Sequence, residues 1–318
     1  MTRVSAFHFE SLVWDWPIAI YLFLIGISAG LVTLAILLRR YHPEAGGADS
    51  TLLRTTLVLG PGTIILGLLI LVLHLTRPWT FWKLMIHYSF TSVMSMGVML
   101  FQLYMVVLAL WLAKIFEKEL IALQQRWLPR LGLVSKILAW LTPFQRMIET
   151  VMLVLAVLLG AYTGFLLSAL KSYPFLNNPV LPVLFLFSGV SSGAAVALMA
   201  QALRYRNHSQ TIETHFIHRI ETPVIWLEIF LLVAFFAGLA LGDDGKMRAL
   251  VAALGGGFWT WCFWLGVVGL GLILPMLLKP WAHRRSAFHG VLVVCAASLA
   301  GVLLLRFFIL YAGQLTVA

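Results

Sequence analysis

Polar side chains enter the apolar stretches of this sequence unevenly, and five short runs of them stand out. They are Trp14-Asp15-Trp16-Pro17 followed by Tyr21, His74-Leu75-Thr76-Arg77-Pro78-Trp79, Ser89 to Ser95 with Ser92 between them, Tyr162-Thr163-Gly164-Phe165-Leu166-Leu167-Ser168, and Ser188 to Ser192. Hydroxyls, an imidazole, a guanidinium and a carboxylate between hydrocarbon walls can do few things. They can hydrogen-bond a flat polar ring and carry protons to and from it. Two further charges stand alone. Glu228 lies inside an apolar run, about 10 Å from the nearer end by helical rise. A carboxylate there is costly and is read as a proton-relay candidate. Arg306 is expected near the end of its run, where it can snorkel or pair with Asp243 or Asp244, and Glu149 is expected at an interface.

The elements that must position these groups are helices in a membrane. Of 318 residues 61% are hydrophobic and 11% charged, against about 25% charged in soluble domains. That composition excludes a soluble enzyme, a disordered chain and a nucleic-acid binder. A bilayer core needs about 20 apolar residues as helix. Eight stretches qualify, at about 17–38, 55–75, 91–113, 147–169, 181–203, 221–241, 256–278 and 288–312. The fold expected is an all-α, eight-span integral membrane protein, residues 1–318 forming a single polytopic domain. The first span has only Arg3 before it and runs into Arg39 and Arg40, unlike a cleaved signal peptide.

The net charge of +10 reads as a topology signal. Of the 22 basic residues, fifteen fall in the loops at 39–54, 114–146, 204–219 and 279–285, and six on the side of the termini. By the positive-inside rule both termini are outside, in the periplasm of a cell with two membranes, and the protein sits in the inner membrane. The 114–146 loop is then cytoplasmic, and its Leu, Trp and Arg/Lys mixture suggests interfacial helix. On this orientation the five polar runs lie in the outer halves of spans one to five. Tyr162 and Ser188 sit about 10 Å beneath the surface.

Several chemistries fall away. Cys262 and Cys295 are scattered and no Cys-x-x-Cys occurs, so no iron–sulfur or structural zinc site is expected within the protein. His8, His42, His87, His208, His215, His218 and His283 lie in loops or interfaces, and His74 and His289 are a membrane thickness apart, so no axial pair for haem can be built. Gly255-Gly256-Gly257 follows no strand and is not a phosphate loop. Taken singly, the tryptophans also fit an aromatic belt, and the Ser and Thr side chains also fit helix contacts. Together, polar groups at one depth in apolar walls suit a quinone ring. Leu22-Phe23-Leu24 before Gly26 to Gly30 is echoed by Leu184-Phe185-Leu186 before Gly189 to Gly193. The echo reads either as a parallel repeat or as small-residue helix contacts. With Glu228, it also leaves open a secondary transporter.

These runs, including Thr80-Phe81-Trp82-Lys83 after Trp79 and Ser92-Val93-Met94-Ser95-Met96-Gly97, resemble the NrfD/PsrC family of polytopic quinone-linked subunits over the whole sequence. The resemblance implies a quinol dehydrogenase subunit without a prosthetic group, taking menaquinol as an exchangeable substrate. It implies a ferredoxin-like iron–sulfur partner in the periplasm, with multihaem cytochromes c and nitrite downstream, or polysulfide or tetrathionate in other members. It further implies that Tyr162 is the quinone-pocket tyrosine of span four. Asp15 and Tyr21 match the polar positions of span one, and Thr76 stands where many members have glycine. On this reading Tyr162, His74 and Asp15 handle protons. Arg77, Tyr21, Thr76, Ser188 and Ser92 line the quinol site.

Overall fold

The computed structural model describes residues 6–9, 11–75, 77–127, 133–205, 211–278 and 288–315. Eight helices among them are long and apolar enough to cross a bilayer. They are α1 (Trp16–Tyr41), α2 (Thr51–Leu73), α4 (Val93–Ile115), α7 (Gln145–Ser168), α8 (Leu181–Arg204), α9 (Ile212–Ala240), α11 (Phe258–Leu278) and α12 (Phe288–Leu315). Four shorter helices occupy loops: α3 (Phe81–Ile86), α5 (Glu117–Trp127), α6 (Leu133–Leu141) and α10 (Asp244–Leu254). The 114–146 loop thus carries two helices, where the sequence suggested an interfacial one.

Side-chain caps set several helix starts. Asp15 accepts from Trp16 N at 2.7 Å with Pro17 in the first turn. Ser50 accepts from Leu53 N, Ser92 from Ser95 N, Thr211 from Thr214 N and Asp243 from Lys246 N. Each oxygen satisfies an amide that the helix itself leaves without a partner. The Thr211 cap lies well before the expected start of span six. Hydropathy does not register the polar first turns of α9. Those turns hold because Glu213 accepts from Gln201 Nε2 at 2.9 Å and His218 Nδ1 lies 3.1 Å from Glu221.

Helices α1 and α8 run through the centre and cross where their glycines meet. A Cβ on Gly30 would run into the Gly189 carbonyl, and one on Gly193 would lie 2.6 Å from Leu31 N. The two echoed segments are therefore a contact face, in which glycine lets backbones approach. The neighbours also repeat. Helix α1 packs on α2 and α7, and α7 on α4. Helix α8 packs on α9 and α12, and α12 on α11. This order of neighbours is the one a parallel repeat would have, while the glycine distances show the contact face itself.

Both ends of the described protein lie on one side of the bundle. Gln314 near the end of α12 accepts from Val13 N and Trp14 N, each at 2.9 Å, and donates to the Trp14 carbonyl at 2.8 Å. This is called the termini side below.

Candidate functional site

Tyr162 lies on α7, well toward the termini side, and is 8% exposed. Its hydroxyl donates to the Val93 carbonyl at 3.2 Å, where α4 begins. The ring meets Phe101 of α4 edge-on at 6.0 Å, and Phe101 in turn lies 5.9 Å from Tyr21 of α1. Gly97 makes this possible, since a Cβ there would overlap the Tyr162 hydroxyl. Gly67 of α2 packs beside Tyr21, where a Cβ would make only an ordinary contact, 3.5 Å from the ring. Four helices thus deliver a tyrosine, a phenylalanine, a tyrosine and two glycines to one packed aromatic cluster.

Two turns deeper lies a second hydroxyl pair. Ser28 donates to the Gly60 carbonyl at 2.7 Å and lies 3.0 Å from the Tyr104 hydroxyl. Serine has a single O–H and spends it on Gly60, so Tyr104 donates to Ser28. Neither Phe101 nor Tyr104 was singled out from the sequence. A tyrosine well inside an apolar span was the available signal for Tyr104.

The α2–α4 connection lies beyond this cluster on the termini side. Ser92 caps α4, and the Ser95 hydroxyl accepts from Ser89 N at 2.8 Å. Gln102 holds the segment after α3, donating to the Met85 carbonyl at 3.0 Å and accepting from the Tyr88 hydroxyl. His74 ends α2 and Arg77 follows it, both side chains exposed on the termini side. Thr76 lies outside the described residues.

Asp15 and Ser188 go elsewhere. Asp15 faces α12, where its carboxylate accepts from the Tyr311 hydroxyl, and Tyr311 stacks on Trp259 at 4.9 Å. Ser188 belongs to a buried group between α8, α9 and α12. Arg306 Nη2 donates to Ser188 Oγ at 2.6 Å and to the Phe185 carbonyl at 3.1 Å. The guanidinium lies 3.6 Å from the centroid of the Phe185 ring. Ser191 hydrogen-bonds Glu228, which also feels the Arg306 charge.

Two expectations are corrected by this group. Arg306 is 0% exposed and neither snorkels nor reaches Asp243, whose carboxylate is spent on Lys246 N. It lies about 14 Å in from the Leu315 end, because α12 runs past the expected boundary and turns this face toward α8. Glu228 lies along the middle of α9, about 24 Å from its Ile212 start, and is 4% exposed. It is apart from Tyr162 but shares a group with Ser188. Glu149, expected at an interface, is mostly buried against Arg39 at 2.6 Å and accepts from Trp111 Nε1 at 3.4 Å.

The arrangement has known relatives. The family model described as "Polysulphide reductase, NrfD" matches residues 4–318. The protein belongs to the NrfD family. The protein NrfD of Escherichia coli is 80% identical over 318 residues, covering 100% of both sequences. An NrfD homolog of Haemophilus influenzae is 48% identical over 314 residues, 98% of each sequence. The C subunit of polysulfide reductase from Wolinella succinogenes is 39% identical over 310 residues, 96% of each sequence. This NrfD-family protein is accordingly a multi-pass membrane protein of the kind that serves as membrane subunit in redox complexes.

Proposed function

We propose that this NrfD-family protein oxidises menaquinol in the inner membrane. Its electrons pass to a periplasmic ferredoxin-like iron–sulfur subunit, and thence through multihaem cytochromes c to nitrite. The observation that carries the reading is the aromatic cluster of Tyr162, Phe101 and Tyr21, which brings phenolic hydroxyls among apolar side chains toward the termini side of the bundle. The basic-residue bias makes that side the periplasmic one, with both termini outside. The protein itself holds no resident prosthetic group on this reading, so electrons leave the ring directly for a docked partner.

Oxidising a quinol to a quinone releases two electrons and two protons. Phe101 and its apolar neighbours orient the ring and exclude water. Tyr162 releases the Val93 carbonyl and turns its hydroxyl to a quinol oxygen, since one O–H can serve one strong acceptor. A proton leaving that oxygen has about 9 Å of helix to travel to the end of α7. His74, exposed beyond the end of α2, is the imidazole that takes it onward. Arg77 beside it offers a positive charge to a departing anionic oxygen or to the partner. Ser92 lies where α4 begins, beside Val93. Asp15 has a proton-handling role on the same side, against Tyr311. Glu228, with Ser191 and Arg306, is a proton-relay candidate in the second half of the bundle.

Tyr162→Phe tests the reading. The substitution keeps the ring against Phe101 and Gly97 and removes one hydroxyl. Electron transfer from a menaquinol analogue to the co-purified partner should fall by at least about tenfold, a loss of about 1.4 kcal/mol of transition-state stabilisation. Protein levels should be normal. Wild-type turnover in this variant would move the quinol site elsewhere.

A further inference from the structure

The two halves of the bundle treat one register position differently. In the echoed segments Ser28 of α1 corresponds to Ser191 of α8, each standing two residues after the first glycine. Ser28 meets neutral groups, the Gly60 carbonyl and the Tyr104 hydroxyl. Ser191 meets the Glu228 carboxyl, which also feels the Arg306 charge. The first half shows that this register packs without ionisable groups, so the costly burial of a carboxyl and a guanidinium in the second half is not a demand of the fold.

Glu228 has two kinds of partner near it. One is the Ser191 hydroxyl, which suits a neutral acid. The other is Arg306, which spends one nitrogen on Ser188 and the Phe185 carbonyl. Its Nε and Nη1 are buried and donate to nothing among the described residues. Two N–H groups of a guanidinium match the two oxygens of a carboxylate.

Polar groups lead away from this site in one direction only. Glu221 stands two turns back on the same face of α9, about 10 Å by helical rise, and its charge is felt at Glu228. His218 Nδ1 lies 3.1 Å from Glu221. His218, Gln201, Thr214 and Tyr205 line a recess of about 20 Å³ on the face away from the termini, room for a single water. Toward the termini the way is closed by Phe185, Phe235 and Phe308, with Phe175 edge-on to the last two at 5.3 and 6.0 Å; all four are fully buried.

We infer that Glu228 is a proton-binding site loaded and emptied from the face away from the termini by way of His218 and Glu221, with Arg306 receiving the carboxylate when the proton leaves. The inference gives the relay reading of Glu228 an entrance, an end point and a counter-charge, and it does not depend on quinol oxidation at Tyr162. A proton from water is taken up by the His218 ring as Nδ1–H passes to Glu221. Water admitted past Val224 and Ile225 carries it on to Glu228. Each O–H or N–H bond broken is re-formed at the next group, and no electron moves. The neighbouring helices bring few competing groups. Helix α8 has no titratable side chain before Arg204, and α1 none between Tyr21 and Arg39. On α12, Tyr311 is spent on Asp15, and Cys295 lies about 16 Å from Arg306 by helical rise. Asp244 and Arg248 of α10 are exposed, and Lys246 beside them is on the same short helix.

The full protein, without quinol or partner, is reconstituted into proteoliposomes, and its orientation is read from protease access to the 114–146 loop. Infrared difference spectra follow the carboxylic-acid C=O band while pH is lowered on one side at a time. Acidifying the side of that loop should raise an acid band that Glu228→Gln abolishes; acidifying the other side should not. If Glu228→Gln fails to accumulate, Glu228→Asp should shift the band. Glu221→Gln and His218→Ala should each slow its appearance at least severalfold. Arg306→Met should retain the acid band at a pH where wild type has lost it. A Glu228 band that follows the termini side would overturn the inference, as would no Glu228-dependent band at any pH the folded protein survives. Unchanged rates in both Glu221→Gln and His218→Ala would remove the route. Turnover with a menaquinol analogue, measured separately, decides the quinol reading whichever way these results fall.

Discussion

Arg306 gives one nitrogen to Ser188 and the Phe185 carbonyl, while Nε and Nη1 find no hydrogen-bond partner among the described residues. A guanidinium so placed is held by the ring of Phe185 and the charge of Glu228. Breaking such a group on one side leaves a buried charge uncompensated, at about 3–5 kcal/mol. Arg306→Ala should therefore lower the thermal unfolding midpoint of the detergent-solubilised protein sharply. Arg306→Met combined with Glu228→Gln removes both charges and should recover much of that loss; strictly additive effects would show that the two do not interact. Glu228→Gln alone separates the two roles open to it. A relay predicts altered proton stoichiometry or pH dependence of turnover in an assembled protein. A change confined to assembly makes Glu228 a helix-pairing residue.

At the scale of the element, the crossing of α1 and α8 is the most demanding contact. Gly30→Leu puts a branched side chain where the Gly189 carbonyl already sits. Overpacking of this kind costs about 1–3 kcal/mol, and more where only backbone can move. The expected outcome is a large fall in folded protein by size-exclusion profile; a normal profile would mean that the helices separate freely. The eight spans were legible because a bilayer demands about 20 apolar residues and little else in the sequence supplies them. The start of α9 was not legible, because its polar first turns are held by partners on α8 and α2 as well as by each other. Tyr162 and Tyr21 were legible as polar groups in apolar runs. Their linker Phe101 was not, since hydropathy does not say that α4 packs against α7 on the face that carries Tyr162. The same ignorance of neighbours sent Arg306 to the surface and Ser188 to the quinol pocket.

For the whole molecule, sidedness decides which face the electrons leave from. Both ends of the described protein share one side, and the basic loops share the other. Reporter fusions should place the C-terminus outside and the 114–146 loop inside. A cytoplasmic C-terminus would put the tyrosine cluster on the cytosolic face and its partner with it. Purified free of partners, the protein should show no Soret band, since its histidines offer no pair at matching depth. Haem in stoichiometric amount would overturn the direct transfer from quinol to partner.

Span α12 also has a place in time. It leaves the ribosome after the seven spans before it, and it carries the arginine that a bilayer accepts at a cost of about 2.5–3.5 kcal/mol. By then α1 and α8 have already been inserted, and with them the Phe185 ring, the Ser188 hydroxyl and the gap opposite Gly26 that together receive the guanidinium. The nascent polypeptide thus completes the berth before it delivers the charge. The stretch from Ser11 to Trp14, made before any of the spans, gains its hydrogen bonds to Gln314 only once the end of α12 has been made. A polypeptide stopped before residue 288 would keep the residues of its tyrosine cluster and leave that stretch without those bonds.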